Sequence, residues 1–183
     1  MRDVLITERF LLRRFDSRDV DDLHAMFADP LTNTIGNGPF TSVDQTRDWI
    51  AGRERARAEH GCCWYGIRER AGRELLGNCG VFAGRTGPRE PEIGYMVAAA
   101  RRGEGIAYEA AAAVLAEALV GVPRVWATIR PHNTISLRIA GKLGFVERRS
   151  ENDERGALVF LARDASDRPD GHGPQEGRAH CGN

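Results

Sequence analysis

The chain is 183 residues long and carries 26 acidic and 26 basic side chains, a formal net charge of zero. That balance excludes the broad positive field that draws proteins to nucleic acid or anionic membrane, and the length predicts one domain with a core of ordinary size. Four cysteines, two of them adjacent at Cys62 and Cys63, have neither disulfide-framework nor zinc spacing, so no metal is expected and a reducing cytoplasm is the expected setting. The start at Met1 has no charged-then-apolar leader, and Glu109 and Glu117 interrupt the alanine-rich run 107–120. A soluble monomer or homodimer with no nucleic-acid or membrane partner is the expectation.

Residues 5–15 read as a strand, and Val20, Leu23, Met26 and Phe27 then recur at helical spacing until Asp29-Pro30 stops them. Ser42 with Gln45 three residues later is a capping-box signature, opening a second helix that runs to about residue 59. Between these helices, residues 32–40 are rich in Gly, Asn and Pro and read as a loop. Residues 62–68 and 74–83 are β-type runs joined by a short turn, which predicts an antiparallel hairpin. A strand over 92–97 follows, then a glycine-spaced turn and a helix that Gly121-Val122-Pro123 ends. The strand 125–129 comes after that helical crossover and is therefore expected parallel to 92–97. A fourth helix is predicted from about Asn133 to Gly144, and 146–151 with 157–162 as a last antiparallel pair. The whole is an α/β domain on a mixed sheet, spanning 1–162. The tail 163–183 has no apolar period and is expected to be disordered, with His172, His180 and Cys181 in it.

The turn between 92–97 and the third helix carries the clearest chemistry. Helix N-termini leave N–H groups unpaired and carry partial positive charge, so a glycine-rich entry suits a phosphate or pyrophosphate. Gly103 and Gly105 let backbone approach such a ligand, and Arg101 and Arg102 add charge. Two familiar phosphate loops are excluded. A Walker loop needs Gly-Lys-Ser/Thr where Gly105 is followed by Ile106 and Ala107. A dinucleotide fingerprint needs Gly or Ala where Tyr108 stands. On these residues alone, a helix start without a ligand stays open.

Arg102, Gly105 and Ala107 satisfy an Arg/Gln-x-x-Gly-x-Gly/Ala pattern that resembles the acetyl-CoA pyrophosphate loop of the GNAT N-acetyltransferases. Downstream, Asn133-x-x-Ser136 followed by Lys142-x-Gly144-Phe145 also resembles that superfamily, and within it the RimJ/RimL-like branch that acetylates ribosomal-protein N-termini. The phrase from Ile6 to Arg13 resembles the opening strand of the same branch. The three matches occur in family order.

The resemblance implies that the strands 92–97 and 125–129 splay at their C-terminal ends and that the pantetheine arm of acetyl-CoA (coenzyme A) lies between them. It places that arm along the Met96, Val97 and Ala98 backbone, and the pyrophosphate on Arg101, Arg102, Gly103, Glu104, Gly105, Ile106 and Ala107. Asn133 would bond the arm, and Ser136 would return a proton to the thiolate. The family's commoner tyrosine falls on Ala140, a departure that leaves Ser136 alone in that role. Glu92 is the candidate base for the amine. By their own chemistry, Asn133 and Ser136 read equally as caps of a helix start, and Glu92 as a strand-end carboxylate. Tyr95 and Trp126 read as core or pocket wall. The first expectation for the acceptor is a protein or peptide N-terminal amine. The alternatives are an aminoglycoside or polyamine, or a sensor that binds acyl-CoA without turnover. The acidic stretch 151–154 and the aspartates near residues 16–22 would attract a cation, or else form a solvated face.

Overall fold

The computed structural model describes residues 1–33 and 38–167. Its strands are β1 (Val4–Ile6), β2 (Phe10–Arg14), β3 (Trp64–Glu69), β4 (Gly77–Phe82), β5 (Glu92–Val97), β6 (Arg124–Ile129), β7 (Val146–Asp153) and β8 (Gly156–Asp164). Its helices are α1 (Val20–Ala28), α2 (Val43–His60), α3 (Ile106–Ala118) and α4 (Thr134–Lys142). The strands form one mixed sheet in the order β1-β2-β3-β4-β5-β6-β8-β7. None of the helices is long and apolar enough to cross a membrane.

The run 5–15 is not one strand but a hairpin, with Ile6 opposite Leu11 and Val4 opposite Arg13. The chain reverses because the Phe10 amide donates to the Thr7 hydroxyl at 2.9 Å, and Glu109 of α3 accepts from the Thr7 hydroxyl and the Arg9 amide. Burial pushes the Glu109 carboxyl up, but these hydrogen bonds and the Arg9 guanidinium together bring it below its ordinary value. The capping box of α2 forms as expected: Ser42 accepts from the Gln45 amide and Gln45 accepts from the Ser42 amide. At its other end Gly61 adopts φ 70°, where an L side chain would be strained.

The last strand pair is longer than its apolar pattern, and it reaches past the expected domain end at 162. Asp164 is held by Arg124 and Arg148, and the Ala165 amide donates to Pro123 O at 2.9 Å. The acidic stretch is therefore mainly the end of β7, with Asp153 opposite Gly156 across the hairpin. The expected tail beyond residue 167, with its histidines and Cys181, lies outside the described residues.

Period-two alternation sorts the central strands into two faces. Trp64, Gly80 and Gly94 are in register on one face, where Trp64 and Met96 pack with Phe15, Leu23, Phe27 and Trp49 beneath α1 and α2. Tyr65, Cys79 and Tyr95 share the opposite face, which packs on the apolar side of α3, including Ile106, Ala110 and Val114. The glycines on the first face are required by the width of Trp64. A Cβ on Gly80 would lie 2.6 Å from Trp64 Cγ and against Cys63 O, and one on Gly94 would lie 3.0 Å from the far edge of the indole.

β5 and β6 are parallel and share one register pair, Glu92 with Trp126. The Trp126 amide donates to Pro91 O at 2.9 Å there. Beyond that junction the ladder stops, which is the splay the resemblance implied. Gly80→Ala is predicted to lower stability by about 3 kcal/mol through overpacking against the Cys63 carbonyl and Trp64, measured as a shift of the urea midpoint at constant m-value.

Candidate active site

The anion turn is built as its glycines suggest. Residues Ala99–Arg101 make one 3-10 turn, and Gly103 (φ 86°) and Gly105 (φ 78°) then swing the chain into α3. Gly105 is the N-cap and has no side chain to satisfy the first-turn amides. A Cβ on Gly103 would meet nothing within 4 Å, so main chain lies open to solvent there. Ile106 is buried and anchors the helix start in the core, and Ala107 is half-buried. These features fit a diphosphate gripped by backbone nitrogen.

The charged residues divide differently from their expected roles. Arg101 turns away from the helix end to meet Glu69, Glu74 and Glu104 at 2.9–3.1 Å. Its charge is thus already compensated, and Glu104 is left to contribute backbone. Arg102 donates to Thr32 O at 2.9 Å, and the Thr32 hydroxyl accepts from the Ala99 amide at 2.9 Å. The segment after α1 is thereby tied to the turn. A second cation comes from the β1–β2 hairpin: Arg9 reaches Glu104 O at 2.9 Å and stands 3.3 Å from where a Gly105 Cβ would be. Arg9 lies inside the phrase from Ile6 to Arg13 that resembles the family's opening strand, and only the fold brings it to the turn.

Along the gap, the Ala98 amide is engaged with Leu76 O of the neighbouring hairpin at 2.9 Å. Because antiparallel ladders alternate, Met96 also turns its backbone polar groups to β4. Of the three residues expected to line the pantetheine arm, Val97 is the one whose amide faces the gap. Across it, Asn133 caps α4 and accepts from the Ser136 amide at 3.2 Å, as its cap chemistry predicted. The Tyr95 hydroxyl spans the gap and donates to Ser136 O at 3.3 Å. Burial pushes this phenol up to about 12, opposed by hydrogen bonding to Ser136. Tyr95 is thus a protonated donor that locates the start of α4, a role hidden from sequence because the contact crosses 41 positions.

Glu92 is not a solvated strand end. It is 1% exposed, and both oxygens are filled, Oε1 by the Arg85 amide and Oε2 by the Thr128 hydroxyl at 2.5 Å. Glu92 and Thr128 lie at the closed end of the gap. Trp126 lies at the same junction, its indole donating to Glu90 at 2.7 Å. Cys63 and Cys79 are buried and burial pushes both thiols up, which removes them as nucleophiles. An open pocket among Met1, His60, Cys62, Pro91 and Val122 lies at the other end of the sheet from the turn. It contains none of the residues expected to bind acetyl-CoA.

Residues 9–146 match a family model described as an acetyltransferase (GNAT) domain. The chain belongs to the GNAT acetyltransferase family. It is 35% identical over 147 residues to the uncharacterized protein YkkB of Bacillus subtilis (strain 168), covering 76% of this chain and 83% of that one. It is 30% identical over 146 residues to the uncharacterized N-acetyltransferase p20 of Bacillus licheniformis, covering 78% and 82%. Among solved structures, RimL, a ribosomal L7/L12 alpha-N-protein acetyltransferase in complex with coenzyme A, superposes with a TM-score of 0.76. That match is at 17% identity and covers 88% of this chain and 97% of RimL. The RimJ/RimL-like resemblance therefore holds at the level of the fold. As a GNAT N-acetyltransferase the protein draws its acetyl group from acetyl-CoA. Gly105→Glu is expected to abolish coenzyme A binding in calorimetry, because it strains a positive φ, meets Arg9 and adds negative charge beside the phosphates.

Proposed function

We propose that the protein acetylates a protein or peptide N-terminal amine. The observation that carries this reading is the parting of β5 and β6 beyond their one register pair. The turn before α3 opens at the wide end of the gap, and Glu92 with Thr128 closes the other end on the face beneath α1 and α2. The thioester enters from one side and the amine from the other.

In this reading Arg102, Arg9 and the first-turn amides of α3 hold the diphosphate, and the Val97 amide and Asn133 orient the pantetheine arm. Bound acetyl-CoA supplies the acetyl group as a thioester. Glu92 takes the proton of the amine, but not directly: the Thr128 hydroxyl donates to Glu92 and keeps a lone pair free to accept. Ser136, at the start of α4, is the hydroxyl assigned to the leaving sulfur.

The polyamine and aminoglycoside alternative is less favoured, since most of the carboxylates that would attract a polycation are already paired with arginine. Asp16 pairs with Arg13 and Arg18, Asp19 with Arg13 and Arg68, Glu151 with Arg149, and Asp153 with Arg130. RimL, which shares the fold, is a ribosomal L7/L12 alpha-N-protein acetyltransferase, in keeping with the peptide reading.

Thiol release from acetyl-CoA in the presence of peptides, polyamines and aminoglycosides tests the acceptor. Turnover on peptides supports the proposal, turnover confined to polycations overturns it, and coenzyme A binding with no turnover makes the protein a sensor. Ser136→Ala should lower kcat by about 100-fold with coenzyme A affinity unchanged; equal turnover would leave Ser136 a cap residue. Glu92→Gln keeps both hydrogen-bond contacts by turning its amide nitrogen to Thr128. It should lower kcat to a similar extent while the melting temperature stays within a few degrees.

A further inference from the structure

The face beneath α1 and α2 contains a cation with no anion. Arg53, half-buried on α2, places its guanidinium 4.8 Å from the Trp49 ring, 4.9 Å from Trp64 and 5.5 Å from Phe82. Among the described residues it has no carboxylate, carbonyl or hydroxyl partner. Other arginines of the domain are engaged: Arg101 by three glutamates, Arg13 and Arg68 by Asp19, Arg14 by Asp3 and Glu54. Desolvation by the rings lowers the Arg53 pKa from its ordinary value, and nearby Cys62 compensates only in part. Aromatic faces stabilise a cation but give its N–H groups no acceptor.

A second unmatched donor lies on the same rings. Among the described residues, Trp64 Nε1 is buried without a hydrogen-bond partner, an unfavourable state for a donor if nothing ever fills it. Its location follows from the indole edge. Cζ2, two bonds from Nε1, is 3.3 Å from where a Gly94 Cβ would stand, and Phe82 Cε1 is 3.4 Å from the same point. Gly94 is on β5, two residues from Glu92 and one wall of the gap. A guanidinium and an indole N–H, neither with an acceptor among the described residues, thus share one aromatic cluster on the sheet face that carries Gly94 and Glu92.

We propose that Arg53 and the Trp64 indole N–H bind a carboxylate carried by the acceptor, so that the acceptor class is an amine that also bears an acid group. The acetyltransferase reading supplies what is done to this ligand; the anion site itself stands on the two donors. Two sources share the chemistry: a free amino acid, through its α-carboxylate, and a peptide with an acidic side chain near its N-terminus. Neutral and cationic amines leave both donors unfilled, which disfavours them.

Two measurements test the proposal. In the first, thiol release from acetyl-CoA is compared for amino acids and their carboxamides, and for short peptides beginning with Asp or Glu and the same peptides beginning with Asn or Gln. The acid member of the productive series should be favoured by about 10- to 100-fold in kcat/KM, and which series responds identifies the source. In Arg53→Met, whose unbranched stem still covers the rings, the acid-to-amide ratio should fall towards one. In the second, the Trp64 indole N–H cross-peak of 15N-labelled wild-type protein is followed as the same compounds are added. It should move with the acids and not with the amides. A ratio of one in the wild type together with an unmoved cross-peak overturns the carboxylate site while leaving the acetyltransferase standing. A cross-peak that moves with acids while no amine is acetylated retains the site and removes the peptide acetylation reading. If Arg53→Met does not fold, the cross-peak in the wild-type protein decides alone.

Discussion

The junction of β5 with β6 is the constraint on which the rest of the domain depends. The two strands are neighbours for one register pair and then part, so a sheet that would otherwise be continuous has a slot through its middle. What keeps the strands together at that one point is polar as well as apolar. Glu92 receives the Arg85 amide and the Thr128 hydroxyl, and Trp126 sends its amide to Pro91 and its indole to Glu90. A carboxyl group buried to 1% exposure is costly unless its oxygens are filled. Here neutral donors fill them, and among the described residues no cation pairs with Glu92.

The two sides of the slot are mechanically connected. Thr32, directly after α1, accepts from Ala99 and through its carbonyl receives Arg102, while its hydroxyl donates to Asp29 at 2.5 Å. Thr32 and Asn33 are buried although they belong to a loop-like stretch. The segment after α1 and the glycine turn before α3 therefore share hydrogen bonds. Tyr95 makes a comparable connection from β5 to α4 across the slot.

Formal neutrality conceals how the charges are arranged. The arginines are matched with carboxylates across long sequence separations, as in Arg9 with Glu109 and Arg2 with Glu117, which fasten the N-terminal hairpin to α3. Such exposed pairs contribute little stability each. Arg101 is neutralised by its surroundings and Arg53 is not, a distinction that composition does not contain.

Local rules made much of the protein legible. The capping box of α2, the β3–β4 hairpin, the parallel crossover through α3, the glycine turn and the cap at Asn133 each depend on residues a few positions apart, and each formed as read. The one-strand reading of 5–15 failed because the groups that turn the chain at Thr7 are bound by Glu109, about a hundred positions away. The last strand runs past 162 for the same reason: Asp164 and Ala165 are held by Arg124, Arg148 and Pro123. The site followed the same division. Gly103, Gly105 and the start of α3 could be read because backbone conformation is a local property. The neutralised Arg101, the amide of Ala98 engaged with Leu76, the sealed oxygens of Glu92 and the unmatched pair of Arg53 and Trp64 could not. The sequence by itself determined where the chain bends and which residue types stand at the turn and at the strand ends. Tertiary structure alone decided which of those polar groups are already paired, because pairing depends on distances between segments far apart in the chain.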